Sequence, residues 1–186
     1  MGFYTKEELK EIGFKSIGEN VFISNKCSIY SPEEISIGNN VRIDDFCILS
    51  GNIKIGNYIH IAAYGAYYGA GGIEIHDFST TSSRVTIYSQ NDSYNGEAMT
   101  NPMIPEQYRK VSYGKVIIKK HSIIGASSII FPGVTIEEGT AIGAMSLIKN
   151  STEKWSIYIG VPAKKLKDRK KDLLELEKCF LKESIE

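Results

Sequence analysis

Histidine is the side chain best suited to accept or release a proton near neutral pH, and the sequence has three, His60, His76 and His121. His60 ends the six-residue segment IGNYIH and precedes the glycine- and tyrosine-rich segment AAYGAYYGAGG. His76 stands where comparable segments have glycine, and His121 falls at a predicted surface position, so we interpret both as structural. His60 is therefore the candidate general base, with a structural role or a substrate contact as its alternative.

A polar segment at 89–115, SQNDSYNGEAMTNPMIPEQYRKVSYGK, is the second place where chemistry could occur. It is too long for a simple turn, and long excursions from a compact repeat usually carry function or are disordered. Its tyrosines and prolines favour an ordered arm. We predict a substrate-site loop that reaches a neighbouring subunit, with a decorative insertion as the alternative.

The element that must position these groups is a repeat of isoleucine followed by glycine. Such pairs begin at positions 17, 37 and 55, and Ile75 with His76 keeps the register. After the loop, isoleucine recurs at positions 118, 124, 130, 136 and 142 in steps of six. A period of six that closes after eighteen residues is typical of a parallel β-solenoid with three short faces per coil.

Each six-residue segment, or hexad, has a simple physical logic. Its aliphatic first residue fills the interior, its fifth residue is small or β-branched because it also points inward, and glycine, aspartate or asparagine allows the corner, where a positive φ is often needed. The phase gives six coils. We predict an N-terminal helical cap at 1–16, a β-solenoid domain at 17–162 that contains the loop, and a C-terminal amphipathic helix at 163–186.

The composition excludes several classes of function. Lysine plus arginine equals aspartate plus glutamate at 22 each in 186 residues, so nothing points to a nucleic-acid or membrane partner. The N-terminus has no long apolar stretch, and the three cysteines lack metal-like spacing, which suits a reducing cytoplasm. We expect a cytoplasmic protein that needs no metal, with Cys27 and Cys47 packed inside the solenoid.

Several motifs together make the chain resemble a known family. They are the hexad pattern and the segments YNGEAMTNPMIPEQYRKV, HSIIGASSIIFPGVTIEEGTAIGAMSLI and WSIYIGVPAKKLKDR. Over residues 17–169 the chain resembles the left-handed β-helix acyltransferases. Within that family it is similar to galactoside and maltose acetyltransferases, and more so to bacterial dTDP-amino-sugar acyltransferases of O-antigen biosynthesis. The resemblance implies an all-β fold, a left-handed parallel β-helix with a protruding loop and a C-terminal α-helix. It also implies a homotrimer with active sites between subunits, and acetyl-CoA as the donor.

The resemblance also implies a donor site. In the family, pantetheine lies against small residues of the late hexads and basic residues hold the nucleotide phosphates. Lysines suit phosphates as point charges, although a solvated helix face is their alternative. Trp155 either stacks on the adenine or packs the last coil. The matching positions are Ala126, Ala144, Lys149, Lys164 and Lys167.

The acceptor side departs from the family's O-acetyltransferases, whose general base is a histidine of this loop. The loop of this chain has no histidine, and Asp92 stands at the matching place. A carboxylate is a weak base for a sugar hydroxyl but is adequate for a sugar amine. We therefore expect N-acetylation of a nucleotide-linked amino-deoxy sugar for O-antigen or capsular polysaccharide. The alternatives are an O-acetyltransferase of a galactoside or other sugar, and a non-catalytic β-helix binding scaffold.

Sugar contacts are predicted from polar and stacking chemistry alone. The phase puts His60 at the corner after the first face, while the loop leaves the third face, so the two could meet only across a subunit interface. The candidate sugar contacts are Asp44 or Asp45, Tyr64, Tyr67, Asn91, Glu97 and Asn101.

Overall fold

The isoleucine repeat winds the chain into a parallel β-solenoid with three faces per coil. The structure is a computed structural model that describes residues 2–183. In chain order its strands are β1 (Ser16–Ile17), β2 (Val21–Ile23), β3 (Ser28–Tyr30), β4 (Ile35–Ile37), β5 (Val41–Ile43), β6 (Ile48–Ile55), β7 (Ile59–Ile61), β8 (Ala66–Ile75), β9 (Thr80–Thr81), β10 (Thr86–Tyr88), β11 (Gln90–Asp92), β12 (Val111–Tyr113), β13 (Val116–Ile118), β14 (Ile123–Ile124), β15 (Ile129–Ile130), β16 (Thr135–Ile136), β17 (Ala141–Ile142), β18 (Leu147–Ile148), β19 (Ser156–Gly160) and β20 (Ala163–Asp168).

The strands stack into three parallel faces. The first face contains β1, β4, β13, β16 and the second halves of β6 and β8, and the third face contains β3, β10, β15, β18 and the first halves of β6 and β8. The second face is β2, β5, β7, β9, β14, β17 and β19. It therefore has one strand more than the six coils predicted. The extra strand was missed because Tyr158 pairs with Ile142 and takes the place of the aliphatic first residue.

On the second face, two inward-pointing residues flank one outward-pointing residue in each three-residue strand. In β5, Val41 and Ile43 are fully buried while Arg42 between them is exposed. The buried residues occupy the fifth position of one hexad and the first position of the next, as the repeat predicted. The sixth position, between them, is the outward position of each face.

The glycine at the second hexad position is required because neighbouring coils stack closely there. A Cβ on Gly38 would lie 2.5 Å from the carbonyl oxygen of Gly56 in the next coil. The positive φ of the corner falls two residues later, at the fourth position, as at Asn40 (57°), Phe46 (61°) and Tyr64 (64°). The corner glycine is thus needed for close approach, and the fourth residue supplies the left-handed turn.

Small polar residues at the fifth position tie one coil to the next. The Ser122 hydroxyl donates to the carbonyl of Glu137 at 3.2 Å, and the Cys47 thiol donates to the carbonyl of Ala62 at 3.3 Å. Cys47 is fully buried and Cys27, in the first coil, is half-buried. Their side chains stack between neighbouring coils, which agrees with the predicted packing inside the solenoid.

Helix α1 (Lys6–Ile12) covers the N-terminal end, over the range predicted for it. The Thr5 hydroxyl accepts the Glu8 N–H at 3.2 Å, and the Glu8 carboxylate accepts the Thr5 N–H at 2.7 Å. This reciprocal pair satisfies two donors at the start of the helix. Leu9 is the buried residue of α1 and joins the core.

The C-terminal segment differs from the prediction of a helix at 163–186. Ala163–Asp168 is strand β20, which pairs antiparallel with β19, and helix α2 begins later, at Leu173–Glu183. The physical reason is that β19 would otherwise leave a free strand edge at the end of the solenoid. The helical prediction is therefore wrong for residues 163–168, and residues 184–186 lie outside the described part.

Helix α2 packs along the corner between the first and second faces, which we call the helix edge (residues 56–58, 76–78 and 119–121). The His121 ring stacks on Phe78 and its Nε2 lies 2.9 Å from Oε2 of Glu177 on α2. Although burial opposes it, hydrogen bonds from Lys120 and His121 lower the pKa of Glu177. His121 is thus a buried structural residue rather than a surface one.

The loop at 89–115 is an ordered ribbon. It leaves the third face after β10, forms the antiparallel pair β11 and β12, and returns to the first face at β13. The Ser89 hydroxyl anchors its start by donating to the carbonyl of Tyr68 at 2.7 Å and accepting the Gly71 N–H at 2.8 Å. Two short 3₁₀ turns, Pro32–Glu34 and Glu106–Tyr108, complete the secondary structure of the described residues.

Candidate active site

Two further edges of the solenoid carry the candidate groups. The serine edge is the corner between the second and third faces, formed by residues 44–46, 62–64, 82–84, 125–127 and 143–145. The loop edge is the corner between the third and first faces, from which the loop leaves at Ser89. On one subunit these edges bound the two sides of the third face.

A cavity of about 330 Å³ lies at the loop edge, between the ribbon and the coils beside it. Its aromatic wall is formed by Tyr68 and Tyr88, whose rings stack with centroids 5.2 Å apart and planes 12° apart. Burial, followed by the neighbouring tyrosines Tyr68 and Tyr94, raises the pKa of Tyr88, so its hydroxyl stays protonated at neutral pH. The residues that line the cavity include Tyr68, Tyr88, Asn91, Asp92, Arg109 and Phe131.

Asp92 and Arg109 meet in this cavity with unfilled hydrogen-bonding capacity. Oδ1 of Asp92 lies 3.7 Å from a terminal nitrogen of Arg109, which is too long for a hydrogen bond. Oδ1 of Asp92 and Nε of Arg109 are both buried and have no hydrogen-bond partner within residues 2–183. An unsatisfied buried polar group costs about 1–3 kcal/mol. Each of these two atoms can therefore hydrogen-bond to a ligand or a water molecule in the cavity.

His60 lies elsewhere, in the middle of β7 on the second face. Its Nε2 is 2.8 Å from Oδ2 of Asp44, and Oδ1 of Asp44 accepts from Nε of Arg42 at 2.8 Å. Although partial burial opposes it, these hydrogen bonds from His60 and Arg42 lower the pKa of Asp44. The prediction that His60 sits at a corner is wrong, because the sixth hexad position is the outward position of a strand.

The two catalytic candidates are therefore not brought together within one subunit. Asp92 lines the cavity at the loop edge, while His60 is about half exposed on the second face, beside Arg42 and Thr80 of the neighbouring strands. The catalytic role of each residue stays a prediction.

Two of the predicted sugar contacts, Tyr64 and Asn91, lie where a ligand could reach them. Tyr64 is an exposed ring of the serine edge that stacks on Phe46 at 5.1 Å, with the Arg84 guanidinium 5.5 Å from its centroid. Asn91 lines the cavity beside Asp92. Both positions are compatible with a contact to a sugar nucleotide.

Tyr67 cannot contact a ligand. Its side chain is fully buried in the solenoid, where its hydroxyl lies 2.5 Å from Oγ1 of Thr81. The prediction of a substrate contact is wrong for Tyr67 because the residue occupies a first hexad position, which points inward.

Other polar candidates are engaged by local contacts. Glu97 accepts from Lys110 at 3.0 Å, and the Asn101 side chain accepts the Met103 N–H at 3.0 Å within a turn of the loop. Asp45 accepts from the Ser24 hydroxyl at 2.6 Å. Glu97 and Asn101 lie in the distal part of the loop, outside the lining of the Asp92 cavity.

The donor-site candidates occupy the late coils. Ala126 and Ala144 take the same place in successive turns of the serine edge, where the Met145 N–H donates to the Ala126 carbonyl at 2.8 Å. The three lysines are exposed: Lys149 follows β18, and Lys164 and Lys167 lie on β20.

Trp155 packs the last coil, which is the second of its two predicted roles. The ring is 8% exposed, and a Cβ on Gly139 would clash with it. This burial leaves no open ring face of the kind that stacking on an adenine would require.

Sequence reasoning missed Arg109, Tyr68, Tyr88 and Phe131. Arg109 is the only arginine of the loop, and this was the available signal that a charge partner for Asp92 existed. The three aromatic residues each follow a first hexad position, which the phase places at the loop edge.

Residues 2–183 contain neither a cluster of metal-ligating side chains nor a membrane-spanning helix. That part of the chain contains no group of three or more histidine, cysteine, aspartate or glutamate side chains placed to hold a metal ion. None of its helices has the length and apolar character needed to cross a bilayer.

The sequence has close curated relatives, although no family model matches it. The dTDP-4-amino-4,6-dideoxy-D-glucose acyltransferase of Escherichia coli is 50% identical over 188 residues, covering 100% of this chain and 98% of that protein. The putative lipopolysaccharide biosynthesis O-acetyl transferase WbbJ of E. coli K12 is 28% identical over 152 residues, covering 78% of this chain and 74% of that protein.

Solved structures of an N-acyltransferase also match this chain closely. AntD, an N-acyltransferase from Bacillus cereus, in complex with dTDP and 3-hydroxybutyryl-CoA, matches with a TM-score of 0.98 and 58% identity over 100% of both chains. Other AntD structures carry substitutions at a serine or at an aspartate ten positions further along. One such variant is bound to dTDP-4-amino-4,6-dideoxyglucose and coenzyme A.

The match with a galactoside acetyltransferase in complex with coenzyme A has a TM-score of 0.61 at 19% identity, over 89% of this chain and 70% of that one. At that identity it supports the fold alone. The predicted fold class and the predicted acyltransferase activity are confirmed by these relatives. The chain belongs to the left-handed β-helix acyltransferases, in the group that contains the E. coli dTDP-amino-sugar acyltransferase and AntD.

Proposed function

We propose that this enzyme transfers an acyl group, acetyl in the first instance, from coenzyme A to the amine of a dTDP-linked 4-amino-4,6-dideoxy sugar. The observation that carries the proposal is the unpaired, buried Oδ1 of Asp92 in a cavity with a tyrosine wall. An amine needs a proton acceptor of this kind and stands beside an apolar sugar methyl group, which suits an aromatic surface. The substrates of AntD and of the E. coli relative support the same acceptor class.

The spacing of one serine and one aspartate supports Asp92 as the reacting carboxylate. AntD has been studied as variants at a serine and at an aspartate ten positions later. This chain has six aspartates, and only Asp92 follows a serine, Ser82, by ten positions. We infer that Ser82 and Asp92 lie beside the reacting atoms.

The proposed reaction is a direct transfer. The amine nitrogen attacks the thioester carbonyl carbon, a C–N bond forms and the C–S bond breaks. Asp92 accepts the proton lost by nitrogen, and the protonated Asp92 then returns a proton to the thiolate of coenzyme A as it leaves. A carboxylate suffices because a free amine is already nucleophilic. We place the base at Asp92 rather than His60 because Asp92 lines the cavity, whereas His60 lies on the second face outside it.

A homotrimer would complete this site, because Ser82 and Asp92 lie on different edges of one subunit. The outward residues of the third face are mostly apolar or small, and Ile129 in this row is 38% exposed. Packing three third faces around an axis would place the loop edge of one subunit beside the serine edge of the next. The outward row is Ser28, Ile48, Ala66, Thr86, Ile129 and Leu147.

Light scattering after size exclusion tests this assembly. We expect a trimer for the native chain and monomers for Ile129→Glu, which places a charge in the apolar row. Lys54→Glu, at an outward position of the first face, is the matched control and should stay trimeric. A native monomer with full activity would overturn the shared site.

The donor is proposed to lie along the serine edge. The small side chains of Ala126 and Ala144 leave room for pantetheine against the backbone, and Lys149, Lys164 and Lys167 would bind the phosphates. Calorimetry with coenzyme A tests this placement: Lys164→Ala and Lys167→Ala should weaken binding, whereas Lys10→Ala on the distant helix α1 should not. Equal affinity of all variants would remove these lysines from the donor site.

A turnover screen tests the function as a whole. The donors are acetyl-CoA and 3-hydroxybutyryl-CoA, and the acceptors are dTDP-, UDP- and GDP-linked amino sugars beside simple galactosides and maltose. We expect turnover with the dTDP-linked amino sugar, whose product would serve the assembly of O-antigen or capsular polysaccharide. Good acetylation of galactosides or maltose with none of the amino sugars would favour an O-acetyltransferase. Failure to bind coenzyme A would favour a binding scaffold.

A further inference from the structure

The aliphatic interior of the solenoid is interrupted in two successive coils, just before the loop. Through Ile148, the first hexad positions of the second and third faces are isoleucine or leucine except at Tyr67 and Thr81. These two side chains meet across the core, with the tyrosine hydroxyl 2.5 Å from Oγ1 of Thr81. Both are fully buried.

A third departure from the repeat makes room for the tyrosine ring. Gly65 occupies a fifth hexad position, and a Cβ there would lie 2.7 Å from Cε2 of Tyr67. A phenol is costly in an apolar interior unless it is hydrogen-bonded, and Thr81 supplies the partner. Gly65, Tyr67 and Thr81 therefore form one unit, which we call the core brace.

The core brace lies between the serine edge and the loop edge of one subunit, which would contribute to two different sites of the proposed trimer. Thr81 is followed by Ser82, whose N–H donates to the carbonyl of Ile124 at 2.9 Å on the serine edge. Tyr67 is followed by Tyr68, which stacks on Tyr88 in the cavity of the loop edge. One buried hydrogen bond thus joins the two backbone segments that present these residues.

We propose that the core brace positions the serine edge and the loop edge for acyl transfer, with Tyr67 and Thr81 as positioning residues. The proposal rests on the proposed function, since it gives a role to Ser82 and Tyr68 in the reaction. Neither positioning residue touches a substrate. Their effect is to fix how far apart the two edges lie on each subunit, and small displacements of reacting groups cost large factors in rate.

The test begins with Thr81→Val, which keeps the shape of the side chain and leaves the Tyr67 phenol without its partner. We expect kcat to fall about tenfold while KM for both substrates stays within about twofold. The double variant Tyr67→Phe with Thr81→Val leaves no buried polar group unpaired, so its unfolding temperature should recover, but it still lacks the bond that joins the two segments and its kcat should stay low.

The matched control is Thr140→Val in a late coil. The Thr140 hydroxyl is equally buried and bonds to Oγ1 of Thr152 at 3.1 Å and to the carbonyl of Glu153 at 3.0 Å. Its loss should lower the unfolding temperature about as much as Thr81→Val but leave kcat unchanged. A Thr81→Val enzyme with native kcat and the same thermal loss would overturn the positioning role.

Hydrogen exchange gives a second readout that does not depend on turnover. The amides of Ser82 and Arg84, which bond to Ile124 and Ala63, should exchange faster both in Thr81→Val and in the double variant, because neither has the bond of the core brace. Unchanged exchange would overturn the proposal even if kcat fell. If the native enzyme acylates no amino sugar, the proposed function fails, whereas the exchange data still report whether the brace holds the serine edge.

Discussion

Asp44 and Asp92 are both carboxylates beside an arginine, yet they differ in how many of their oxygens are hydrogen-bonded. Both oxygens of Asp44 are hydrogen-bonded, one to His60 and one to Arg42, each at 2.8 Å. Oδ1 of Asp92 stays 3.7 Å from Arg109, and neither Oδ1 nor Nε of Arg109 has a hydrogen-bond partner in the described chain. A carboxylate whose bonds are filled by neighbours stabilises its strand, whereas one left unfilled in a cavity is suited to a ligand.

Overall exposure does not explain the difference, because the Asp44 side chain is 14% exposed and the Asp92 side chain is 35% exposed. The lining does differ. Asp44 faces His60 and Arg42 on the second face. Asp92 instead lies in a cavity with a stacked tyrosine pair and has its Oδ1 buried. The comparison therefore predicts that changes at the cavity act on turnover, while changes at Asp44 act on stability.

The largest effect should come from Asp92. Asp92→Ala should lower kcat/KM by about 10²–10⁴-fold, the usual contribution of a general base, as measured by release of the coenzyme A thiol. Asp92→Asn keeps the size but cannot accept the proton, so it should lose about as much. Either variant with more than a third of native activity would break the comparison.

Arg109→Ala should have the next largest effect. Without the guanidinium, the cavity loses the charge that faces Asp92, and KM for the sugar nucleotide should rise about tenfold, equivalent to about 1.4 kcal/mol. Initial rates over a range of acceptor concentrations measure it. Lys110→Ala, an exposed partner of Glu97, is the neighbouring control and should stay within about twofold. Equal effects of the two changes would contradict a special role for Arg109.

His60→Ala should change kcat/KM by less than about threefold, because Asp92 rather than His60 is proposed to carry the catalytic step. The same thiol-release assay measures it. A loss of 100-fold or more would instead restore the sequence-based hypothesis that His60 is the base, and it would make Asp44 part of the catalytic machinery.

Asp44→Asn should have the smallest effect, on stability alone and about 0.2–1 kcal/mol at pH 7. Because the folded pKa of Asp44 is lowered, its stabilisation is fully present above the ordinary aspartate pKa of about 4 and is lost as pH falls through the lower folded value. Urea unfolding of the two proteins at neutral and acidic pH measures it. A difference that grows on acidification would show that the sign is wrong.

The repeat predicted the three faces, the inward positions and the loop, because a strict period leaves few alternatives for a short strand. It also predicts that Tyr67 is buried, since the phase places that residue at an inward first position. The substrate role was assigned from the chemistry of tyrosine rather than from its phase. The same neglect of phase placed His60 at a corner instead of in a strand.

Other features had no local signal. The Oδ1 of Asp92 has no hydrogen-bond partner because Arg109 remains 3.7 Å away once β11 and β12 have paired. Residue spacing in the sequence does not predict such a distance. Strand β20 was read as helix because its lysine-rich sequence suits either structure. The exposed edge of β19 decides between them, and β19 itself was not predicted because Tyr158 stands at the aliphatic first position.

At the serine edge, the fourth hexad position combines a left-handed backbone with an exposed side chain, so its residue type can vary while the buried framework stays the same. Residues 46, 64, 84, 127 and 145 all adopt positive φ and are exposed, and they include phenylalanine, tyrosine, arginine, serine and methionine. Substitution among unbranched side chains there alters the chemistry presented at the serine edge without disturbing the buried columns. Related enzymes could thereby acquire new acceptors by single changes at evenly spaced sites. Valine, isoleucine and threonine, which tolerate this backbone poorly, should be rare among such changes.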